Sequence, residues 1–267
     1  TSAQAFRLVA LFLLGELRTL GERMASFIAE ARERDDTWAD TLLRAGPQVA
    51  FWLADDDLPR ARAELAYVQQ RWPDELANLP RLWTFIGGLH VDLYGGEPNT
   101  AWGRVKREWQ EFARSSLFAS QWARVMLYAL RAGVALQHLH ADHGDSERAG
   151  LLRSVEADLD GLRGEQTLWA TPFVELVHAG LLIVYRQRER AIQGLRAAEQ
   201  GFRAVDMALY GAAARRRCGQ LLGGDAGEQL VASADLAMAE QGVRRPECMT
   251  RMLAPGFPEA PISKSGL

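Results

Sequence analysis

The hydrophobic positions along the chain recur at three- and four-residue intervals almost throughout, and no stretch shows the period-two alternation rich in valine, isoleucine or threonine that marks a strand. Alanine, leucine, glutamate and arginine, all good helix formers, dominate these stretches. The pattern predicts helices over residues 3–14, 16–34, 37–54, 58–71, 79–94, 98–114, 117–140, 145–161, 171–185, 188–204, 206–222, 225–240 and 246–253. Breaks fall at ADDDLPR (54–60), RWPDE (71–75), YGGEPN (94–99), ADHGDS (141–146), LRGEQ (162–166), LGGDAG (222–227) and GVRRP (242–246). Glycine supplies the left-handed residue that closes a helix, and aspartate, asparagine or serine accepts the free amides of the next. Turns this short make successive helices antiparallel.

The joins repeat. FWLADDDLPRARAEL, VDLYGGEPNTAWGRV and GQLLGGDAGEQLVAS each run from a helix ending in aromatic or leucine residues, through a short polar turn, into a helix that opens with small residues. The repeat length is about forty residues, longer than the roughly 34 of a tetratricopeptide (TPR) unit. A helical hairpin cannot bury its apolar face alone, so each stacks on the next. The expected fold is therefore all-α, a TPR-like α-solenoid of antiparallel helical hairpins over residues 1–257, with a closed all-α bundle as the alternative. Residues 258–267, PEAPISKSGL, are broken by proline and poor in apolar side chains, and are expected to form a flexible tail.

Composition sharpens this picture by exclusion. A chain of 267 residues that is 48% apolar can bury a sizeable core. Its formal charge of −3 gives no general attraction to nucleic acid or anionic membrane. The early apolar run between Arg7 and Gly15 is far short of the ~20 residues of a spanning helix, and no basic segment of signal-peptide type precedes it. The first residue is threonine, which points to an excised or processed part of a longer polypeptide. Cys218 and Cys248 are too few for a disulfide scaffold or a thiolate metal site, and they fit a reducing, cytoplasmic compartment. The eight tryptophans, Trp102 and Trp109 among them on one helix face, are expected to fill the solenoid core with their indole N–H groups partnered.

Candidate chemistry is sparse. Gly219 and Gly224 satisfy G-x-x-x-x-G, but Asp225 and Ala226 stand where a phosphate loop needs lysine and a hydroxyl residue. The stretch reads instead as a helix closed by glycine, with Asp225 opening the next. In HLHADHGD, His140 and His143 face one way on a continuing helix and, with Asp142, make the most metal-like local group. The ordinary reading is that histidine is favoured at a helix carboxyl end. His90 and His178 sit alone in apolar surroundings and read as hydrogen-bonded core residues. Asp55, Asp56 and Asp57 suit a solvated turn with an N-cap. Cys218 reads as a small inert hydrophobe unless neighbouring arginines activate it. There is no H-E-x-x-H, C-x-x-C or G-x-S-x-G. No catalytic residue and no cofactor are expected in this segment. The rival reading is a helical enzyme domain binding a metal or small molecule near His140 and His143.

YGAAARRRCGQLL places Arg215, Arg216 and Arg217 in one turn, fanned over more than half the helix circumference. Met207, Tyr210, Ala214, Cys218 and Leu221 form the apolar stripe of the same helix, so at least one arginine flanks it and pairs with a carboxylate. Arg215, Arg216 and Arg217, with Arg244 and Arg245 further on, are the candidate residues for binding a protein partner. A nucleic-acid site would need aromatic or further basic residues on the same surface, and none is expected.

FRAVDMALYGAAARRRCGQLLGGDAGEQLVASADLAMAEQGVRRPECMTRMLAPGF resembles the carboxyl-terminal helical repeat region of large bacterial signalling proteins that carry a eukaryotic-like serine/threonine kinase domain followed by a STAND-type ATPase module. FWLADDDLPRARAEL and LYGGEPNTAWGRVKREWQEFARSSL carry a weaker likeness, so the resemblance covers most of the chain. It departs at Cys248, where the family pattern has a basic residue before the methionine. The resemblance implies a sensor or interaction arm that restrains or organises upstream kinase and ATPase modules, responding to a protein partner or a small-molecule signal. A parent of this kind would be an ATP-dependent kinase. The catalytic motifs of both modules are absent from this segment, so no family catalytic residue maps onto it.

Overall fold

The computed structural model describes residues 2–72, 78–141 and 144–258. Among these, fourteen α-helices and no strand are found: α1 (Ser2–Leu14), α2 (Leu17–Glu33), α3 (Thr37–Leu42), α4 (Ala50–Ala54), α5 (Leu58–Arg71), α6 (Leu79–Tyr94), α7 (Pro98–Arg114), α8 (Gln121–His138), α9 (Asp145–Gly164), α10 (Thr171–Val184), α11 (Arg188–Ala204), α12 (Ala208–Leu222), α13 (Gly224–Glu240) and α14 (Pro246–Leu253). Two short 3-10 turns, Gly46–Val49 and Ser116–Ala119, precede α4 and α8. None of these helices is long and apolar enough to cross a membrane. Of the tail expected over 258–267, all but Pro258 lies outside the described residues.

Several joins share one geometry. Glu97 N–H donates to Asp92 O at 2.8 Å, Gln187 N–H to Leu182 O at 2.8 Å, and Met207 N–H to Phe202 O at 2.9 Å. Each is a six-to-one closing bond, and the residue before each donor, Gly96, Arg186 or Asp206, has a positive φ. Asp56 repeats the form before α5, where Asp57 then accepts from Arg60 N–H at 2.9 Å as the N-cap. The LGGD turn is close to its expectation with one correction. The N-cap of α13 is Gly223, which has no side chain to accept a bond, and Asp225 sits in the first turn, where its charge favours the helix amino end. The expected helix over 37–54 is also broken, because Pro47 supplies no N–H and Gly46 turns left-handed at φ 75°.

Consecutive helices from α5 to α13 pack as antiparallel hairpins, each stacked on the next in a helical-repeat arrangement. The second helix of each hairpin buries one stripe: Ala101, Val105, Trp109 and Phe112 on α7; Leu151, Val155, Leu159 and Leu162 on α9; Ala191, Leu195, Ala198 and Phe202 on α11. Burying a side chain such as Phe112 or Phe202 stabilises the fold by about 1.5–3 kcal/mol. The first helices differ. α6 is buried on nearly every side from Leu82 to Tyr94, and α8 and α12 nearly so. Their second faces are covered by the chain ends. Phe6 of α1 meets Trp83 and Trp122 edge-on, Phe12 meets His90 and Tyr210, and α14 lies against α6, α12 and α13. The inner helices are therefore sandwiched between outer helices and a centre made by α1 and α14.

Gly219 and Gly227 allow the tight α12–α13 crossing. A Cβ added at Gly219 would lie 2.6 Å from Gly227 O, so these glycines serve helix approach rather than phosphate binding.

Candidate functional site

The arginines singled out by sequence are dispersed in three directions. Arg215 Nε meets Glu199 Oε1 of α11 at 2.8 Å, and Arg216 Nε meets Asp235 Oδ1 of α13 at 2.7 Å. Arg217 turns inward, is 1% exposed, and donates to Ala254 O at 3.0 Å and to Gln220 Oε1 at 3.0 Å. It thus lies on no accessible surface. Arg244 and Arg245 are the solvent-facing pair, 67% and 50% exposed, set against Asp55 at 2.7 Å and Asp56 at 3.5 Å in the turn before α5. Arg245 also bonds Glu247. Burial works against that carboxylate, but Arg245, with a weaker pull from Arg216, holds its pKa below the usual range. Arg216 and Arg245 accordingly converge on one acidic residue, while Arg215 and Arg217 stand apart from it.

Three arginines, Arg217 buried, Arg251 half-buried and Arg188 exposed, do one job repeatedly. Helix carboxyl ends carry free carbonyls and partial negative charge, which cations satisfy. Arg251 of α14 donates from Nη2 to Tyr94 O, the last residue of α6, at 3.0 Å, passing Gly96, where an added Cβ would lie 3.0 Å from Nη1. Arg188 of α11 donates from Nε to Leu221 O near the end of α12 at 2.8 Å. Arg217 of α12 does the same for Ala254, the C-cap of α14.

Arg217 belongs to a wider grip on the segment after α14. Ala254 leaves the helix at φ −130°, ψ 66°, and Gly256 turns at φ 93°. Gly256 N–H donates to Gln137 Oε1 of α8 at 2.8 Å, and the Arg217 guanidinium stands 5.7 Å from the centre of the Phe257 ring. Phe257 is 1% exposed. Further back, Arg244 N–H donates to Ala54 O at 2.8 Å, tying the entry of α14 to the end of α4. Side chains from separate hairpins hold the main chain of a non-helical strand of polypeptide.

Of the metal-like group, only His140 is among the described residues. Asp142 and His143 lie outside the described residues. His140 lines a cleft with Arg148 and Arg186, two guanidinium groups whose charge opposes a metal cation. Among the described residues, no cluster of three or more histidine, cysteine or acidic side chains is placed to hold a metal. Burial pushes the Cys218 thiol up despite Arg196, and it pushes Cys248 up as well, so neither is an activated thiolate.

No family model, curated protein or solved structure matches the chain.

Several buried polar groups carried no sequence signal. Arg44, 5% exposed, bonds Asp40 at 2.8 Å and Glu64 at 2.6 Å, and Tyr67 OH donates to Asp40 at 2.6 Å. Burial works to raise the Asp40 carboxyl, but the bonds from Arg44 and Tyr67 hold it below its usual range. Arg131 clasps Asp158 across α8 and α9 at 2.5 to 3.0 Å while lying over Trp109. Asp40 and Arg44 stand four apart, the one hint available in sequence. Two expectations fail here. His90 is fully buried, yet neither ring nitrogen has a hydrogen-bond partner, and the indole N–H groups of Trp52, Trp83 and Trp122 are likewise unpartnered. Trp72 meets the expectation, donating to Thr41 Oγ1 at 2.9 Å.

Proposed function

We propose that the chain is a non-catalytic interaction and regulatory arm of a multidomain bacterial signalling protein, working in the cytoplasm beside serine/threonine kinase and STAND-type ATPase modules. The observation that carries this reading is the way the hairpins use their inner faces. They hold helices α1 and α14, and they hold the main chain of the following segment through Arg217 and Gln137. That is the chemistry of a scaffold that grips polypeptide. The likeness of FRAVDMALYGAAARRR…MLAPGF to kinase-associated repeat regions supplies the wider context.

Arg244 and Arg245 offer the outward contact. They project beside Asp55 and Asp56, where an acidic segment of a kinase or ATPase module can compete for the guanidinium groups. Arg215 and Arg216 are engaged with α11 and α13 and contribute less.

The test is titration calorimetry of the chain against separately prepared kinase and ATPase modules of its own polypeptide. Binding to one module, weakened at least tenfold in Arg244→Gln/Arg245→Gln, supports the reading. Absence of binding to both modules sinks it.

A further inference from the structure

The segment Leu253–Phe257 is held as a ligand would be held. Beyond Leu253, the last residue of α14, it is irregular; it runs across the inner faces of α8, α10 and α12, and two of its main-chain groups are met by side chains: Arg217 Nε on Ala254 O at 3.0 Å and Gln137 Oε1 on Gly256 N–H at 2.8 Å. The floor is shaped to it. A Cβ on Gly133 of α8 would lie 2.5 Å from Pro255 Cγ. Gly256 is selected twice, by its φ of 93° and by Leu136 Cβ, which would stand 2.7 Å from any added Cβ. Phe257 fills the last position, beneath the Arg217 guanidinium.

The segment fills its groove closely: a gap of about 20 Å³, room for about one water, remains beside it, lined by Met126 and Leu130 of α8, Phe173 and Leu176 of α10, and the segment's own Leu253 and Pro255. Apolar anchor positions, side-chain readout of a main chain and glycine-shaped clearance are the elements of peptide recognition.

We propose that the inner face of α8, α10 and α12 is a peptide-binding site, held in cis by Leu253–Phe257, that accepts in trans an extended partner segment of the same chemistry: an apolar residue followed by a proline-glycine-aromatic turn. Gln137 and Arg217 read its main chain, the glycine floor admits its proline, and Leu136 excludes a side chain at its glycine. A competing segment releases Leu253–Phe257, which couples recognition to freedom of α14. The proposal rests on reading the chain as an interaction arm, but its test needs neither kinase nor ATPase, so the two can fail separately.

The probe is a labelled synthetic peptide with the sequence of residues 246–258, PECMTRMLAPGFP, added to the full chain. In Phe257→Ala the cis segment loses its anchor, and the peptide is expected to bind at least tenfold more tightly than to the wild type, by fluorescence anisotropy. A peptide with alanine in place of its glycine is expected to lose at least tenfold. Folded Phe257→Ala that fails to take up the peptide overturns the proposal. Native-state hydrogen exchange on the wild type gives an independent reading that needs no variant. The Gly256 amide is expected to exchange through a local opening, faster than the amides of α8 and α10, and more so with excess peptide. Exchange of Gly256 only together with global unfolding identifies a permanent core segment and overturns the proposal equally.

Discussion

Arg217 Nε lies 3.0 Å from Ala254 O, so the last member of the triple arginine closes a helix carboxyl end from inside the protein. Its neighbours in the same turn reach Glu199 and Asp235 across partly exposed surface. Exchange of each arginine for glutamine should separate these roles. Arg217→Gln leaves Ala254 O without its charged donor and opens space beside Phe257, and a loss of roughly 2–4 kcal/mol is expected. Arg215→Gln and Arg216→Gln should each cost less than about 1 kcal/mol, as screened surface pairs do. Urea unfolding of the three variants, at one pH and salt, checks the order.

What sequence could and could not convey follows from the range of each interaction. Helix positions are local, set by three- and four-residue spacing and by turn chemistry, and the observed ends agree with the spacing except where Gly46 and Pro47 divide 37–54 and where extended Ser120 parts a 3-10 turn from α8 within 117–140. The fan of Arg215, Arg216 and Arg217 was legible for the same reason. Which arginine turned inward depended on α14, nearly forty residues away, and nothing in YGAAARRRCGQLL records that distance. The grip on Gly256 by Gln137 joins residues 119 positions apart. The apolar character of α6 all round was the one available sign that its second face is also covered, since a helix apolar on all sides is a buried one.

Glycine at a close helix crossing gives a sharper test than glycine in a turn. Gly219→Ala would put a methyl group 2.6 Å from Gly227 O, which is backbone and cannot move away cheaply. The expected cost is about 1–3 kcal/mol. Gly164→Ala, in the last turn of α9, meets nothing within 4 Å and has no left-handed φ, so it should be neutral or stabilise slightly. Thermal unfolding of both variants decides; a neutral Gly219→Ala would contradict the packing described for α12 and α13.

The Arg44 network should behave as a unit. Arg44→Met leaves Asp40 and Glu64 buried without the cation between them, and a loss of about 3–5 kcal/mol is expected. Arg60→Met removes a partner of Glu64 that is 53% exposed and should cost less than about 1 kcal/mol. The folded Asp40 carboxyl lies below its ordinary 3.8, so its stabilising contribution is present above that pH and is lost as the pH falls through the folded value. Chemical denaturation of wild type and Arg44→Met at neutral pH and below pH 4 should show the gap between them narrowing in acid.

His90 sets a second pH dependence, of clear sign. Burial among apolar groups beside Phe12 lowers its pKa from 6.5 to about 4, so the folded chain holds the imidazole neutral where the unfolded chain protonates it. Between those values the unfolded state binds more protons, and stability therefore rises with pH from about 4 to 6.5 and is fully present above. The whole swing is about 3 kcal/mol. Asp158 works the other way. Burial pushes it up to about 7 against the pull of Arg131, so folding takes up a proton there and stability falls as the pH rises from 3.8 to about 7. The two slopes oppose each other in the wild-type profile, so the histidine must be isolated by difference. His90→Leu retains the Asp158 contribution and loses the histidine one. Its stability relative to wild type should improve steadily as the pH is lowered from 7 to 4.5, by up to about 1.4 kcal/mol per pH unit. A difference that stays constant across that range would mean that the buried ring has acquired a proton or a partner in the folded state.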